Sequence, residues 1–160
     1  IFIDKDRGAQ IFVQASGGTY LALHNGVPTG FSPLKALANK AEDKTFLSLF
    51  IRQLVRADGK PISVQEERLI EDGINAVMKL DVADRSLSAL RSMLGMKDSS
   101  GVGARLEKWT QEGSLGWVFD NPADSMTLDA RFIGFDMTDF HATVKSSQRA
   151  NHRSRCVALR

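Results

Sequence analysis

The first thirty residues, IFIDKDRGAQIFVQASGGTYLALHNGVPTG, limit what this chain can fold into more than any other stretch. A short apolar run, Ile1-Phe2-Ile3, stops at the polar pentad Asp4-Lys5-Asp6-Arg7-Gly8. Ala9, Ile11, Phe12, Val13 and Ala15 follow, then Gly17-Gly18, then a second apolar run from Thr19 to Leu23. The order reads as strand, charged turn, helix, glycine stop, strand, the beginning of a βαβ arrangement. The first run is apolar throughout, as buried parallel strands are. Residues 8–16 read as a short, heavily buried helix, and their β-branched content leaves open a strand continuing past a bulge. Ligands of open α/β sheets gather at the carboxyl ends of strands, so the pentad stands where a site is expected. On spacing alone, the ordinary reading is that Asp4 or Asp6 caps the helix that follows.

From about Asn39 to Gly113 the pattern becomes helical. Phe46, Leu49, Phe50, Gln53 and Leu54 share one stripe, widened by Leu47, Ile51 and Val55, and Asp58-Gly59-Lys60-Pro61 ends that helix. Ser63-Val64-Gln65-Glu66 has the form of a capping box and opens a helix with Leu69, Ile70, Ile74, Val77 and Met78 inward. Gly73 inside it costs about 1 kcal/mol against alanine, which points to close helix packing there. A third helix is expected over 83–94, with Leu87, Leu90 and Leu94 inward and Gly95 as its stop. A fourth is expected over 102–110, with Val102, Leu106 and Trp109 on one side. Trp117-Val118-Phe119 reads as a short edge strand before a turn at Asp120-Asn121-Pro122. Residues 130–136, ARFIGFD, read as the last strand, and Asp136-Met137-Thr138-Asp139 as its passage into a helix cap. Trp109 and Trp117 read as packing residues rather than platforms for bases.

Composition narrows the function classes. With 160 residues, 42% hydrophobic and 25% charged, the chain suits a globular domain with a real core. No apolar run approaches the roughly 18–20 residues of a membrane span, and no basic leader precedes the first strand pattern. The chain starts with Ile1 rather than methionine, so it reads as an excerpt of something longer. One cysteine, Cys156, excludes an internal disulfide, and three histidines without paired spacing give no expectation of a metal site. The net charge of +2 is uneven: residues 141–160 hold five of the 21 basic residues and none of the 19 acidic ones. The remaining 140 residues are therefore mildly acidic, and nucleic-acid binding cannot be argued from overall basicity.

Gly101-Val102-Gly103-Ala104-Arg105 lacks the Lys-Ser or Lys-Thr pair of a phosphate loop and reads as the entry to a helix. The chain has no GxSxG nucleophile elbow either. No catalytic residue is assigned from spacing.

Three separated segments carry a family resemblance: Phe2-Ile3-Asp4-Lys5-Asp6-Arg7-Gly8-Ala9 with Gly17-Gly18-Thr19-Tyr20-Leu21, then 26–34, GVPTGFSPL, then Phe135-Asp136-Met137-Thr138-Asp139-Phe140. In this order they resemble the CagE/TrbE/VirB family, the large ATPases of type IV secretion and conjugative transfer. The resemblance covers about residues 1–140 and falls between the family's two nucleotide motifs, neither of which is present. It implies an α/β fold, part of a RecA-like (P-loop NTPase) sheet. Residues 1–38 and 114–140 would be its framework, 39–113 an all-helical insertion, and 141–160 a disordered or non-native tail. It also implies that Asp4, Asp6 and Arg7 lie near the nucleotide site of the intact enzyme, which would use ATP and Mg, while this chain alone binds no cofactor and is inactive. The implied partners are other subunits of the same ATPase, as a homo-oligomer, and type IV secretion components, with nucleic acid reached only indirectly. The implied location is cytoplasmic and peripheral at the inner membrane. The alternative function is a non-catalytic docking module of the secretion machine, using its helical insertion.

After Phe140 the sequence HATVKSSQRANHRSRCVALR has no apolar stripe and departs from the family pattern, which continues with an amphipathic helix and an acidic motif. A shifted reading frame or truncated gene copy is the expectation for this tail.

Overall fold

Residues 2–4, 7–56, 61–95, 98–125 and 132–138 are described by the structure, a computed structural model. The expectations for Asp6, for the 58–60 helix stop, for Asp139 and for the 141–160 tail lie outside these residues. The chain divides into two units, one of residues 1–27 with 127–160 and one of residues 28–126.

The first unit is built on a three-stranded parallel sheet. Its strands are β1 (Phe2–Asp4), β2 (Thr19–Ala22) and β3 (Ile133–Asp136), in the order β1-β3-β2. The strand last in sequence is thus the central one. Asp4 pairs with Asp136, and Ala22 pairs with Asp136 from the other side. All three strands therefore end at one level. β3 suits the middle place, since Ile133, Gly134 and Asp136 are buried and Phe135 half-buried. Helix α1 (Gln10–Ala15) joins β1 to β2 and ends where the glycine pair implied, with the Gly18 N–H donating to the Val13 carbonyl at 2.9 Å.

Two burial expectations fail in this unit. Ile3 is 72% exposed, because no element among the described residues covers its face of β1, which pairs on one side only. Helix α1 is not heavily buried: Val13 alone is buried, while Ile11 is 81% and Phe12 62% exposed. Among the described residues this unit has no second layer to cover that side of the helix.

The second unit is helical. It contains α2 (Pro33–Ala36), α3 (Ala41–Val55), α4 (Val64–Val77), α5 (Leu87–Leu94), α6 (Val102–Leu106) and α7 (Gly116–Phe119). Short 3-10 turns occupy Val82–Asp84 and Glu107–Trp109. Its core joins Leu47, Ile51 and Val55 to Ile70, Ile74 and Val77, and these to Leu87, Leu90, Leu94, Val102 and Leu106. Each side chain so buried contributes about 1.5–3 kcal/mol by leaving water. The capping box forms as its sequence requires: the Ser63 Oγ accepts from the Glu66 N–H, and Glu66 Oε2 accepts from the Ser63 N–H at 2.8 Å. At Gly73 an added Cβ would stand 2.9 Å from Leu94 Cδ2 and 3.0 Å from Leu90 Cδ1, so α4 and α5 approach closely there.

The inner faces differ from the expected ones in detail. On α3 the buried stripe is Leu47, Ser48, Ile51, Leu54 and Val55, whereas Phe46 and Leu49 face outward. On α4, Leu69 is 39% exposed, since Ile70, Ile74 and Val77 define the face and Leu69 sits to one side of it. The 83–94 helix is interrupted at Arg85-Ser86 and restarts at Leu87, with the Ser86 hydroxyl accepting from the Ala89 N–H at 2.9 Å. Trp117-Val118-Phe119 belongs to helix α7, not to an edge strand. Its short run gave no alternation to fix a strand. As a helical turn it brings the Phe119 ring against Phe31, Phe50 and Trp109, at centroid distances of 5.8, 5.0 and 5.7 Å.

A buried carboxylate organises the end of this unit. Asp120 accepts from the Leu87 N–H (2.6 Å), the Ser88 N–H (3.1 Å) and hydroxyl (2.7 Å), and the Gln111 N–H (3.0 Å). It thereby caps α5 and fixes the chain after Thr110.

Candidate functional site: the carboxyl ends of the sheet

Parallel strands ending at one level place the residues at their carboxyl ends side by side. Asp4 closes β1 and Asp136 closes β3, and both are buried, at 7% and 2% exposure. Beyond β1 the chain turns through Arg7, whose φ of 61° is left-handed. That conformation costs a non-glycine residue about 1–2 kcal/mol, and among the described residues side-chain contacts of Asp4 and Arg7 hold the turn against it. The Asp4 Oδ2 accepts from the Ala9 N–H at 2.7 Å, just ahead of α1. The Arg7 Nε donates to Asp136 Oδ2 at 3.0 Å.

The remaining oxygen of Asp136 is also engaged, since Oδ1 accepts from the Thr138 N–H at 2.9 Å and from its hydroxyl at 2.5 Å. Burial alone would push the Asp136 carboxyl up. Donation by Thr138 and the Arg7 guanidinium outweigh that and hold it below the ordinary carboxylate range. From β2, the Tyr20 hydroxyl donates to Asp4 Oδ2 at 2.9 Å. Its pKa is pushed up to about 12, first by burial, then by this bond and by the charges of Asp136 and Asp4. Gly134 makes room for the ring: a Cβ there would stand 2.8 Å from Tyr20 Cδ2.

Of the three residues singled out from sequence, the structure brings Asp4 and Arg7 to one corner, and Asp6 lies outside the described residues. Two residues of the corner, Asp136 and Tyr20, were not singled out as site residues. A signal for Asp136 was present: Ile3-Asp4 and Phe135-Asp136 are both apolar strands that stop at an aspartate. Tyr20 gave none, because one tyrosine in a strand does not show which neighbour its hydroxyl reaches.

Chemically, the corner is a scaffold for a cation. Both carboxylates accept from neighbouring donors, and the Arg7 side chain is 51% exposed. A guanidinium held in this way suits oxyanion recognition, because its planar fork matches phosphate and carboxylate. Among the described residues no three His, Cys, Asp or Glu side chains converge as a metal site.

No family model matches the chain. It is 45% identical over 140 residues to the type IV secretion system protein virB4 of Bartonella henselae, a match covering 88% of this chain and 18% of the relative. It is 43% identical over 139 residues to protein virB4 of Agrobacterium tumefaciens, covering 86% and 18%. Virb4 of Brucella abortus is 35% identical over 152 residues. The chain thus spans about a fifth of the length of these relatives (18%). Among solved structures, VirB4 of Thermoanaerobacter pseudethanolicus shares the fold, with a TM-score of 0.60 at 15% identity. That likeness covers 86% of this chain and 59% of the other.

Proposed function

We propose, from the premise that this chain belongs to the VirB4 family of type IV secretion proteins, that its sheet unit is part of a RecA-like ATPase domain. In that reading Asp4, Asp6 and Arg7 border the nucleotide site of the intact protein. The observation that supports it most is the Arg7–Asp136 pair at the carboxyl ends of parallel strands, the side of an α/β sheet where ligands bind. Each residue then has a role. Arg7 offers its guanidinium to phosphate oxygens, Asp136 orients it, and Asp4 with Tyr20 holds the turn that presents it.

ATP and Mg are proposed for the intact protein, where the nucleotide supplies the phosphoryl group whose transfer to water drives transport. Their principal holders would lie outside this chain, which contains no GxxxxGK[ST] sequence. The corner fits a supporting place: with Asp4 Oδ2 and both oxygens of Asp136 already accepting from donors, the two carboxylates serve to hold the turn and position Arg7 rather than to form a metal cage. The chain by itself should therefore show no ATP turnover. In an intact family member, Arg7→Ala and Asp4→Asn should each lower ATP turnover at least ~10-fold with the protein still folded. Unchanged turnover in both would leave the corner a purely structural turn.

The intact protein is further proposed to work as a homo-oligomer, together with other type IV secretion components, peripheral to the cytoplasmic side of the inner membrane. Among the described residues no helix is long and apolar enough to cross a membrane. A second reading, a docking role for the helical unit, draws on the outward-facing Phe46 and Leu49 of α3, 53% and 56% exposed. Binding of secretion components by a family member lacking residues 39–113 would exclude it.

A further inference from the structure

The central strand of the sheet ends in Asp136-Met137-Thr138, where the sequence reads Thr138 only as part of a passage into a helix cap. In the structure the Thr138 N–H (2.9 Å) and hydroxyl (2.5 Å) both donate to Asp136 Oδ1, while Arg7 Nε takes Oδ2 at 3.0 Å. The two carboxylate oxygens are thus shared between two neighbours. The amide bond alone is the ordinary turn an aspartate makes with the residue two ahead. The hydroxyl goes beyond what that turn needs.

An aspartate carboxylate rotates readily about its last torsion, whose minima are broad. Its plane is therefore set by its donors rather than by its own conformation. With one oxygen gripped by the amide and hydroxyl of Thr138, the other is left facing Arg7. The hydroxyl is itself well placed. Threonine's branched β-carbon restricts its first torsion, and the Met137 N–H donates to the Asp4 carbonyl at 2.7 Å, carrying the β1–β3 pairing past the strand ends. Thr138 is thereby tied to the strand end from which the Arg7 turn departs.

The charges at the corner make this grip matter. Asp136 is 2% exposed and is faced by Arg7 from the turn, Asp4 from β1 and Tyr20 from β2. Burial pushes its carboxyl up, and donation by Thr138 and then Arg7 outweighs that. The carboxylate anchors the guanidinium only while it stays charged.

We propose that Thr138 is a positioning residue of this corner, whose hydroxyl aims Asp136 Oδ2 at Arg7 and so sets where the guanidinium is presented. Its effect on turnover rests on the nucleotide reading of the corner, whereas its hold on Arg7 is measured without it.

The test compares the 160-residue chain with Thr138→Val and Thr138→Ser by NMR, reading hydrogen exchange of the Arg7 Nε–H and titration of the Asp136 carboxyl carbon. Valine keeps the backbone N–H and the branched shape and lacks only the hydroxyl. Arg7 Nε–H exchange should be about 10-fold faster in Thr138→Val and close to wild type in Thr138→Ser. The Asp136 midpoint should move up in Thr138→Val, because a donor to the charged form is lost. Thr138→Ala, also without the hydroxyl, should behave as the valine variant does. In an intact family member, Thr138→Val should lower ATP turnover ~10-fold and move the acid limb of its pH profile to higher pH, and Thr138→Ser should restore most of both. A hydroxyl that only closed the turn would change stability and leave Arg7 exchange and the acid limb in place. Unchanged Arg7 exchange in folded Thr138→Val or Thr138→Ala would overturn the proposal. So would a serine variant no better than valine, or wild-type turnover in Thr138→Val where Arg7→Ala loses it. Faster Arg7 exchange in Thr138→Val beside wild-type turnover in Arg7→Ala would support the hold on Arg7 and remove the nucleotide reading instead.

Discussion

Arg7 Nε and Asp136 Oδ2 meet at 3.0 Å although the two residues are 129 positions apart in the chain. The pair joins the turn after the edge strand to the end of the central strand. It also sets a half-exposed guanidinium beside a buried carboxylate, with side-chain exposures of 51% and 3%. The asymmetry decides what each residue contributes.

Removing the exposed partner should matter less to stability than removing the buried one. Arg7→Ala removes one donor from the buried Asp136 carboxylate, whose other oxygen keeps the Thr138 amide and hydroxyl, and should cost about 1 kcal/mol. Asp136→Ala also strips the Thr138 amide and hydroxyl of their acceptor and should cost about 2–3 kcal/mol. Urea denaturation of the full chain separates the two. Equal losses would mean that the pair does not sit as described.

Tyr20 is the only tyrosine in the chain, so its ionisation is read directly by ultraviolet absorbance. The titration should centre at about 12, against about 10 for a free tyrosine. Because the folded value is raised, the stabilisation it lends is complete below about pH 10 and is lost as pH rises toward 12. Asp4→Asn, which removes one charge from beside the hydroxyl, should lower the midpoint. Gly134→Ala should do the same by displacing the ring from Asp4.

Acid acts on the same corner with the opposite sign. The Asp136 carboxyl is held below its ordinary value, so its contribution is present above the unfolded pKa of about 3.9 and falls away as pH drops through the lower folded value. Asp136→Asn should therefore flatten the decline in stability below about pH 4. Thermal melts of the two proteins between neutral pH and pH 3 check this.

In the helical unit, Asp120→Ala should be among the most damaging single changes. It leaves the amides of Leu87, Ser88 and Gln111 without their acceptor, and a loss of about 3 kcal/mol is expected. Asp120→Asn keeps one acceptor oxygen and should lose less. Chemical denaturation at neutral pH measures both.

Features carried by local chemistry were legible in the sequence. The Ser63–Glu66 capping box, the tight approach at Gly73 and the apolar strand that ends at Asp136 each depend on residues within a few positions of one another. What could not be read depends on distant pairing. Nothing near Ile3 tells that its strand lies at an edge, because β3, its neighbour, arrives from more than a hundred residues away. Likewise Phe46 and Leu49 fit a helical stripe as well as Leu47 and Ile51 do, and only the packed core decides which set turns inward. At the corner, Asp4 and Arg7 drew notice through their motif, whereas Asp136 and Tyr20 became partners only when the sheet closed.

The most direct test is a double-mutant cycle on ATP turnover in an intact VirB4-family protein, comparing Arg7→Ala, Asp136→Asn and the two combined. If the pair presents its guanidinium to the nucleotide as one unit, each single change should lower turnover at least ~10-fold and the double change should be little worse than either. Turnover that stays at the wild-type level in both single variants, or losses that simply multiply in the double, would contradict the account.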